Sequence, residues 1–485
     1  VPRRVVRLRE EVLSADGETL RAGIAAIQAE LQVTPAFPPE VEHAAQEAAK
    51  NPRLPELDRT DLPFVTIDPA TAQDLDQALH IERSAAGHQD GYTVYYAIAD
   101  VAAFVQPGDP LDEEAHKRGE TLYGADSKVP LYPKALSEDA ASLLADQVRP
   151  ALLWTIELDG DGGTVAGRVE RALVRSRAKL SYTDVQEQLD AGTADPVFTL
   201  LQEVGERRLR IEAERGGVSL PLPEQEVRAD GAHWSLAFRQ QHPVEQWNAQ
   251  ISLLTGMTAA TLMVNARTGL LRTLAPADPR DVKRLRRTAR ALRIDWPENQ
   301  SYPDFVRSLE PATPSHAAML VACTRLLRGS GYVGFAGELP EHTGHSAIAA
   351  DYAHVTAPLR RLVDRYALEI SVALSAGHEV PGWVVDRFGE LPTTMRGSTR
   401  RANQYERAVL DLVEAAVLRD YVGETFDGVV VEVDDRDQRK GDVTIREPAV
   451  EAPIRDDRDL PLGTDVRARL TAADPQTRTI RFELA

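Results

Sequence analysis

Phe64-Val-Thr-Ile-Asp68-Pro-Ala-Thr-Ala-Gln-Asp74-Leu-Asp76-Gln-Ala-Leu79 is the stretch around which the chain is organised. Phe64 to Ile67 mixes aromatic and β-branched residues, a pattern that predicts a short buried strand. Pro69 has no N–H to give to a ladder, so the chain leaves the sheet there. Asp68, Asp74 and Asp76 then stand on a loop at a strand end, where a hard cation such as Mg²⁺ finds oxygen ligands. In an acidic chain an aspartate-rich loop is more commonly a solvated turn. The stretch alone leaves both readings open.

The 485 residues predict several domains, since single cores stop growing at roughly 250–300 residues. No apolar run approaches the ~18–20 residues that span a bilayer, and no signal-peptide pattern opens the chain. Cys323 is the single cysteine, which excludes an intramolecular disulfide. A cytoplasmic protein without membrane contact is the expectation. The net charge of −19 argues only weakly against a polyanionic partner, because the local field governs binding. Basic residues cluster at Arg168–Lys179, Lys283–Arg293, Arg360–Arg365 and Arg396–Arg407. One such cluster reads as a solvated face; four predict a basic path for a polyanion.

Leu20, Ile24, Ile27 and Leu31 recur at helical spacing, with Asp16 as their expected N-cap. A second helix is expected from Pro38-Pro39 to Asn51-Pro52. This front unit is compatible with a helix-turn-helix-like module, though nothing in it specifies base contacts. Strands are predicted at Tyr92–Ala99, Leu152–Leu158 and Val165–Val174, and helices at Val244–Val264, Pro279–Leu292 and Arg361–Ala376. Such segregation points to an α+β fold. After Tyr421, short strands at 426–433, 442–445, 465–470 and 479–484 fit a small β-barrel of the OB type. The expected domains are residues 1–55 (helical), 56–420 (catalytic) and 421–485 (OB-fold).

Gly329-Ser-Gly331-Tyr-Val-Gly334 mimics a dinucleotide-binding loop, but a helical stretch precedes it and no helix follows. These glycines are read as turns or close packing. No nucleophile–histidine arrangement emerges, which favours metal-activated water over covalent catalysis. In Tyr352-Ala-His354-Val-Thr-Ala-Pro358-Leu-Arg360-Arg361-Leu-Val-Asp364, Pro358 is expected to open a helix. Arg360 and Arg361 would then stand near its positive end, where phosphate oxygens are bound. A salt bridge to Asp364 is the structural alternative.

Four ordered blocks carry a family resemblance: DLPFVTIDPATAQDLDQAL, YYAIADVAAFVQPGDPLDEEAHKRGETLY, VPLYPKALSEDAASL and YAHVTAPLRRLVDRY. Over nearly all of residues 60–485 the chain resembles the ribonuclease II (RNB) family of processive 3′→5′ exoribonucleases. The resemblance implies an RNB-type catalytic domain with a C-terminal OB-fold, acting on single-stranded RNA and releasing nucleoside 5′-monophosphates. It implies that Asp68, Asp74 and Asp76 bind catalytic Mg²⁺ (or Mn²⁺), with Asp76 the most critical for cleavage. Arg360, beside Arg361, matches the arginine on the scissile phosphate, and Tyr123 a tyrosine packing on the 3′-terminal nucleotide. Glu245 matches an acid near the RNA end.

The departures are specific. Gln77 stands where the family pattern has a fourth aspartate, so one metal position loses its charge. Ala357 and Leu362 replace a usual serine and tyrosine. The front unit stands in place of paired cold-shock domains, which prompts the expectation that structured RNA with a 3′ overhang enters more readily. A monomer is expected. The rival readings are an RNA-binding protein whose catalysis has decayed, prompted by Gln77, and a phosphodiesterase acting on a small molecule.

Overall fold

β1 forms at Phe64–Ile67 with all four residues buried, as the apolar run predicts. In the computed structural model, residues 15–84, 91–124, 128–222, 224–230 and 233–485 are described. β1 pairs antiparallel with β2 (Gln77–Arg83), which continues through β3 (Tyr92–Ala99), β6 (Val148–Leu158) and β7 (Thr164–Leu180). β7 then returns to pair parallel with β1, closing a five-stranded barrel without free edges. Between β3 and β6 lie α3 (Pro110–Arg118) and a two-stranded ribbon of β4 (Leu122–Tyr123) and β5 (Lys128–Val129). Tyr92, Tyr96 and Trp154 on its strands are almost fully buried.

Helices cover this barrel. α4 (Tyr182–Asp190), α5 (Pro196–Arg215) and α6 (Pro243–Ala266) follow it, and α10 (Leu362–Ser375) packs beside α6. α6 is apolar around most of its circumference because barrel, α5 and α10 all press on it. Behind α6 lie two hairpins, β10 (Thr268–Thr273) with β11 (Gly331–Ala336), and β12 (Gly344–His345) with β13 (Ala350–Asp351). α7 (Pro279–Ala291), α8 (Tyr302–Arg307) and α9 (Pro314–Cys323) build a separate core in which Trp296 stacks on Phe305.

The C-terminal barrel is closed by β14 (Thr425–Val433), β15 (Lys440–Ile445), β16 (Val450–Arg455), β18 (Thr479–Leu484) and β17 (Asp465–Asp474), in that order. Its core continues onto α12 (Leu391–Leu418), α1 (Ala15–Glu30) and the hairpin β8 (Glu224–Asp230)–β9 (His233–Arg239). α2 (Pro39–Lys50) instead joins the first barrel through Val41 and Ala45. The short α11 (Gly382–Val385) precedes α12. Among the described residues no helix is long and apolar enough to cross a membrane.

Several expectations are corrected. α1 begins at Ala15, so Asp16 lies inside it rather than at its cap. Pro358 to Arg360 form a turn, and the helix opens only at Leu362, with Arg361 at its N-cap. β16 escaped detection because Pro453 demotes Val-Glu-Ala-Pro-Ile-Arg as a strand; the proline is accommodated opposite Asp442. Gly331 and Gly334 belong to β11; a Cβ on Gly334 would sit 2.7 Å from that of Phe388, so close packing accounts for that glycine, while Gly329 stands at a positive φ of 92°.

Candidate active site

The aspartate loop is held at every turn. The Asp68 N–H donates to the Leu180 carbonyl (3.1 Å), and Lys179 Nζ donates to the carbonyls of Ala70 (3.0 Å) and Ala72. Ser142 Oγ donates to the Gln73 carbonyl (2.7 Å) and accepts the Leu75 N–H (2.9 Å). The Asp76 carbonyl accepts the Ala99 N–H (2.9 Å), which fixes the loop to β3. Asp68 directly follows β1, and Asp76 directly precedes its antiparallel partner β2.

The second segment arrives from the turn before α10. The Leu359 N–H donates to Asp76 Oδ1 (2.8 Å), while Arg360 Nε lies 3.8 Å from Oδ2. Asp76 is 5% exposed. Burial pushes its carboxyl well above the usual range; Arg360 and the Leu359 N–H oppose this, while Asp74 and Asp364 add to it. A carboxylate so placed gains from any further cation. The structure thus brings Asp76 and Arg360 together across 284 residues of chain, as 360 minus 76 gives.

Arg361 has a different surrounding. Its Nε and Nη2 bind both Asp364 oxygens (2.7 and 2.8 Å), and Asp364 Oδ1 also accepts the Ala357 N–H (2.7 Å). Asp364 is fully buried, and this partner holds Arg361 protonated against the burial that opposes its charge. The Thr121 N–H donates to the Arg360 carbonyl (3.0 Å) and the Leu362 N–H to the Gly119 carbonyl (2.9 Å). This backbone pairing joins the arginine turn to the segment that carries Tyr123, which lies half-buried on β4.

Gln77 opens β2 and donates its Nε2 to the Thr356 carbonyl, tying the aspartate stretch to the arginine turn. Asp74 is bound by Lys128 Nζ (2.7 Å), which also reaches Glu138 (3.0 Å). Glu245 caps α6 by accepting the His242 N–H (2.8 Å) and binds Arg239 through both oxygens (2.6 and 3.0 Å). One turn on, Asn248 Nδ2 donates to the Tyr182 hydroxyl (3.2 Å). Among the described residues no group of three or more His, Cys, Asp or Glu side chains has a metal-binding arrangement. Asp68 and Asp76, which flank the adjoining ends of β1 and β2, are the carboxylates that could hold a divalent ion, since Mg²⁺ takes one or two carboxylates and completes its shell with water and substrate phosphate.

Sequence reasoning missed Lys128, Glu138 and the wall behind the arginine turn. In that wall Tyr332 shares a hydrogen bond with His354 Nδ1 (2.7 Å), Tyr352 packs edge-on to His354, and Arg272 lies over Tyr332. Lys128 was visible only as one cation in an apolar run, Lys-Val-Pro-Leu-Tyr. Several clustered cations are structural: Arg171 binds Asp100 (2.9 Å), Arg177 binds Asp195 (3.0 Å), and Arg365 is buried on Asp112 (2.6 Å).

Two closed barrels, one presenting a buried aspartate to an arginine turn and one of OB type, define a protein built like a nucleic-acid-processing enzyme. The RNB domain model matches residues 57–373, and the RNase II-type exonuclease C-terminal S1 domain model matches residues 424–485. The chain belongs to the RNB-domain family of 3′→5′ exoribonucleases. It is similar to ribonuclease R of Escherichia coli, with 27% identity over 413 residues, covering 80% of this chain and 50% of the relative. The chain therefore spans about half the length of that curated relative. Its fold matches Mycoplasma genitalium RNase R in complex with ribose-methylated single-stranded RNA (TM-score 0.83, 20% identity, 96% of this chain and 78% of the other). The same protein in complex with double-stranded RNA matches with a TM-score of 0.81 and 20% identity, over 96% of this chain and 84% of the other.

Proposed function

We propose that this protein is a processive hydrolytic 3′→5′ exoribonuclease that releases nucleoside 5′-monophosphates from single-stranded RNA. The observation that carries the reading is the buried Asp76 carboxylate, braced by the Leu359 N–H with Arg360 beside it. Arg360, 31% exposed, reaches both Asp76 and solvent, as a phosphate-binding guanidinium must. It would bind the scissile phosphate and stabilise the charge that builds on its oxygens. Arg361 does not reach outward; it fixes the turn from which Arg360 projects and supports RNA binding through it. Tyr123 would stack on the terminal base, a grip indifferent to sequence. Glu245 would act near the RNA end by orienting the start of α6. Asp68 and Asp76 would hold a divalent ion, Mg²⁺ or Mn²⁺, which supplies Lewis-acid polarisation of the phosphate and activation of water. Asp74 and Gln77 would shape that site from beside it.

The test is incubation of the purified protein with 5′-labelled RNA, with and without Mg²⁺ or Mn²⁺. A metal-dependent ladder shortening from the 3′ end is expected. Binding without shortening would mean a decayed enzyme, and neither would leave the small-molecule reading.

Entry of structured RNA is a second proposal, supported by the likeness to an RNase R fold solved with double-stranded RNA. A hairpin with a 3′ overhang should be degraded into its stem. A stop several nucleotides before the stem would reject this.

A further inference from the structure

The β4–β5 ribbon pairs Tyr123 directly opposite Lys128, so the two side chains share one face of it. From that face Lys128 reaches the aspartate loop, its ammonium 2.7 Å from Asp74 Oδ1 and 3.0 Å from Glu138 Oε1. All three side chains are at most 20% exposed, so solvent screens this bridge little. A divalent ion on the same Asp74 oxygen would stand beside the ammonium, and two cations at that separation repel strongly in a half-buried site. Gln77, on the strand that follows, adds no charge, and its amide nitrogen is committed to Thr356. The Asp74 oxygen that a second ion would use is thus already taken by an ammonium, which Glu138 holds in place from its other side.

We propose that Lys128 is a fixed cation of the active site, standing on Asp74 in place of a second divalent ion, so that one ion suffices for cleavage. This rests on the exoribonuclease reading above. It gives Gln77 a reason: a fourth carboxylate would draw a second ion into a place that the ammonium fills. It also gives the ribbon two tasks, a base grip at Tyr123 and a positive charge at Lys128 directed toward the same end of the RNA.

The experiment counts Mn²⁺ bound to the full chain by electron paramagnetic resonance and compares Lys128→Met, Lys128→Arg and Asp74→Asn. One equivalent is expected for the wild type, for Lys128→Arg and for Asp74→Asn, in which Asp74 is no ligand. Lys128→Met should bind two, because Asp74 is then released to a second ion. In parallel, Lys128→Met turnover in 1 mM Mg²⁺ should fall on the order of 10²-fold, the loss of one charge-stabilising donor. That loss should be recovered largely by raising Mg²⁺, with a steeper than hyperbolic dependence. A bridge that merely braced the loop would lose turnover without changing the ion count. Two equivalents in the wild type, one in Lys128→Met, or loss of the ion in Asp74→Asn each overturns the proposal. A wild type that binds one ion but shortens no RNA would instead reject the exoribonuclease reading, which the ion count leaves separate.

Discussion

At the residue scale the two adjacent arginines divide the work, and substitution separates them. Asp76→Asn keeps the Leu359 N–H contact and the loop geometry but removes the charge. RNA binding should survive and cleavage be lost, measured by filter binding and by gel; near wild-type turnover would remove Asp76 from catalysis. Arg360→Ala should lower turnover by about 10²–10³ and lower the melting temperature less than Arg361→Ala does, because Arg360 is partly solvated and 3.8 Å from buried Asp76, whereas Arg361 is hydrogen-bonded to both oxygens of buried Asp364. A severalfold loss would reduce it to packing. Arg361→Ala should do the reverse first: it strands the fully buried Asp364, at a cost of about 3–5 kcal/mol in urea denaturation. Sequence reasoning found both arginines and offered the Asp364 bridge as an alternative to phosphate binding. It could not assign one role to each, because adjacent residues of one type look alike until the backbone turn is known. Lys128 was missed for a related reason: its partner Asp74 is 54 residues away, as 128 minus 74 gives, and no local pattern announces such a pair.

Elements with strong periodicity were legible, and those whose stability comes from distant partners were not. β1, β3, α6 and α7 appear nearly where the alternation and helical spacing put them. The barrel closure was not legible, because the parallel β1–β7 pair joins Phe64 to Ser176 and depends on the twist of the whole sheet. Hairpin β8–β9 was likewise missed; Leu236 is buried in the second core, and its carbonyl accepts the Ala449 N–H (2.7 Å) from the C-terminal barrel. The turn expected to start a helix at Pro358 is shaped instead by α6. There the Gly256 carbonyl accepts the Ala353 N–H (3.1 Å), and a Cβ on Gly256 would lie 2.2 Å from Tyr352 Cε2 and 2.6 Å from the Ala353 carbonyl. Gly256→Ala must therefore push the Tyr352–Ala353 segment, and the arginine turn that follows, away from α6. A stability loss of about 1–3 kcal/mol is expected, together with a fall in turnover larger than that in RNA affinity. Unchanged turnover would show that the turn is positioned independently of α6.

On the scale of the whole molecule, α12 is the part that the two barrels share. It packs against β4, which carries Tyr123, against β11 behind the arginine turn, and against β17 and β18 of the C-terminal barrel. α1 lies along its outer side, so close at Gly23 that a Cβ there would sit 2.7 Å from Leu412 Cδ2. Gln28 Nε2 donates to the buried Tyr405 hydroxyl (3.1 Å), and Arg478 binds Glu30 (2.7 Å), which ties α1 to helix and barrel together. Buried Gln225 adds another link, donating to Glu414 on α12 (2.8 Å) and to the Ala449 carbonyl (2.5 Å). An RNA gripped by the C-terminal barrel would thus be held in fixed register with the aspartate site, which a processive enzyme requires. The same connection is expected to couple the unfolding of the two barrels. Leu412→Ala, which opens a cavity between α1 and α12, should cost about 2–5 kcal/mol. In calorimetry it should lower one transition common to both barrels, with equal calorimetric and van't Hoff enthalpies. If the C-terminal barrel melts in a separate earlier transition in this variant, α12 is a linker and the register between barrel and site is not enforced by it.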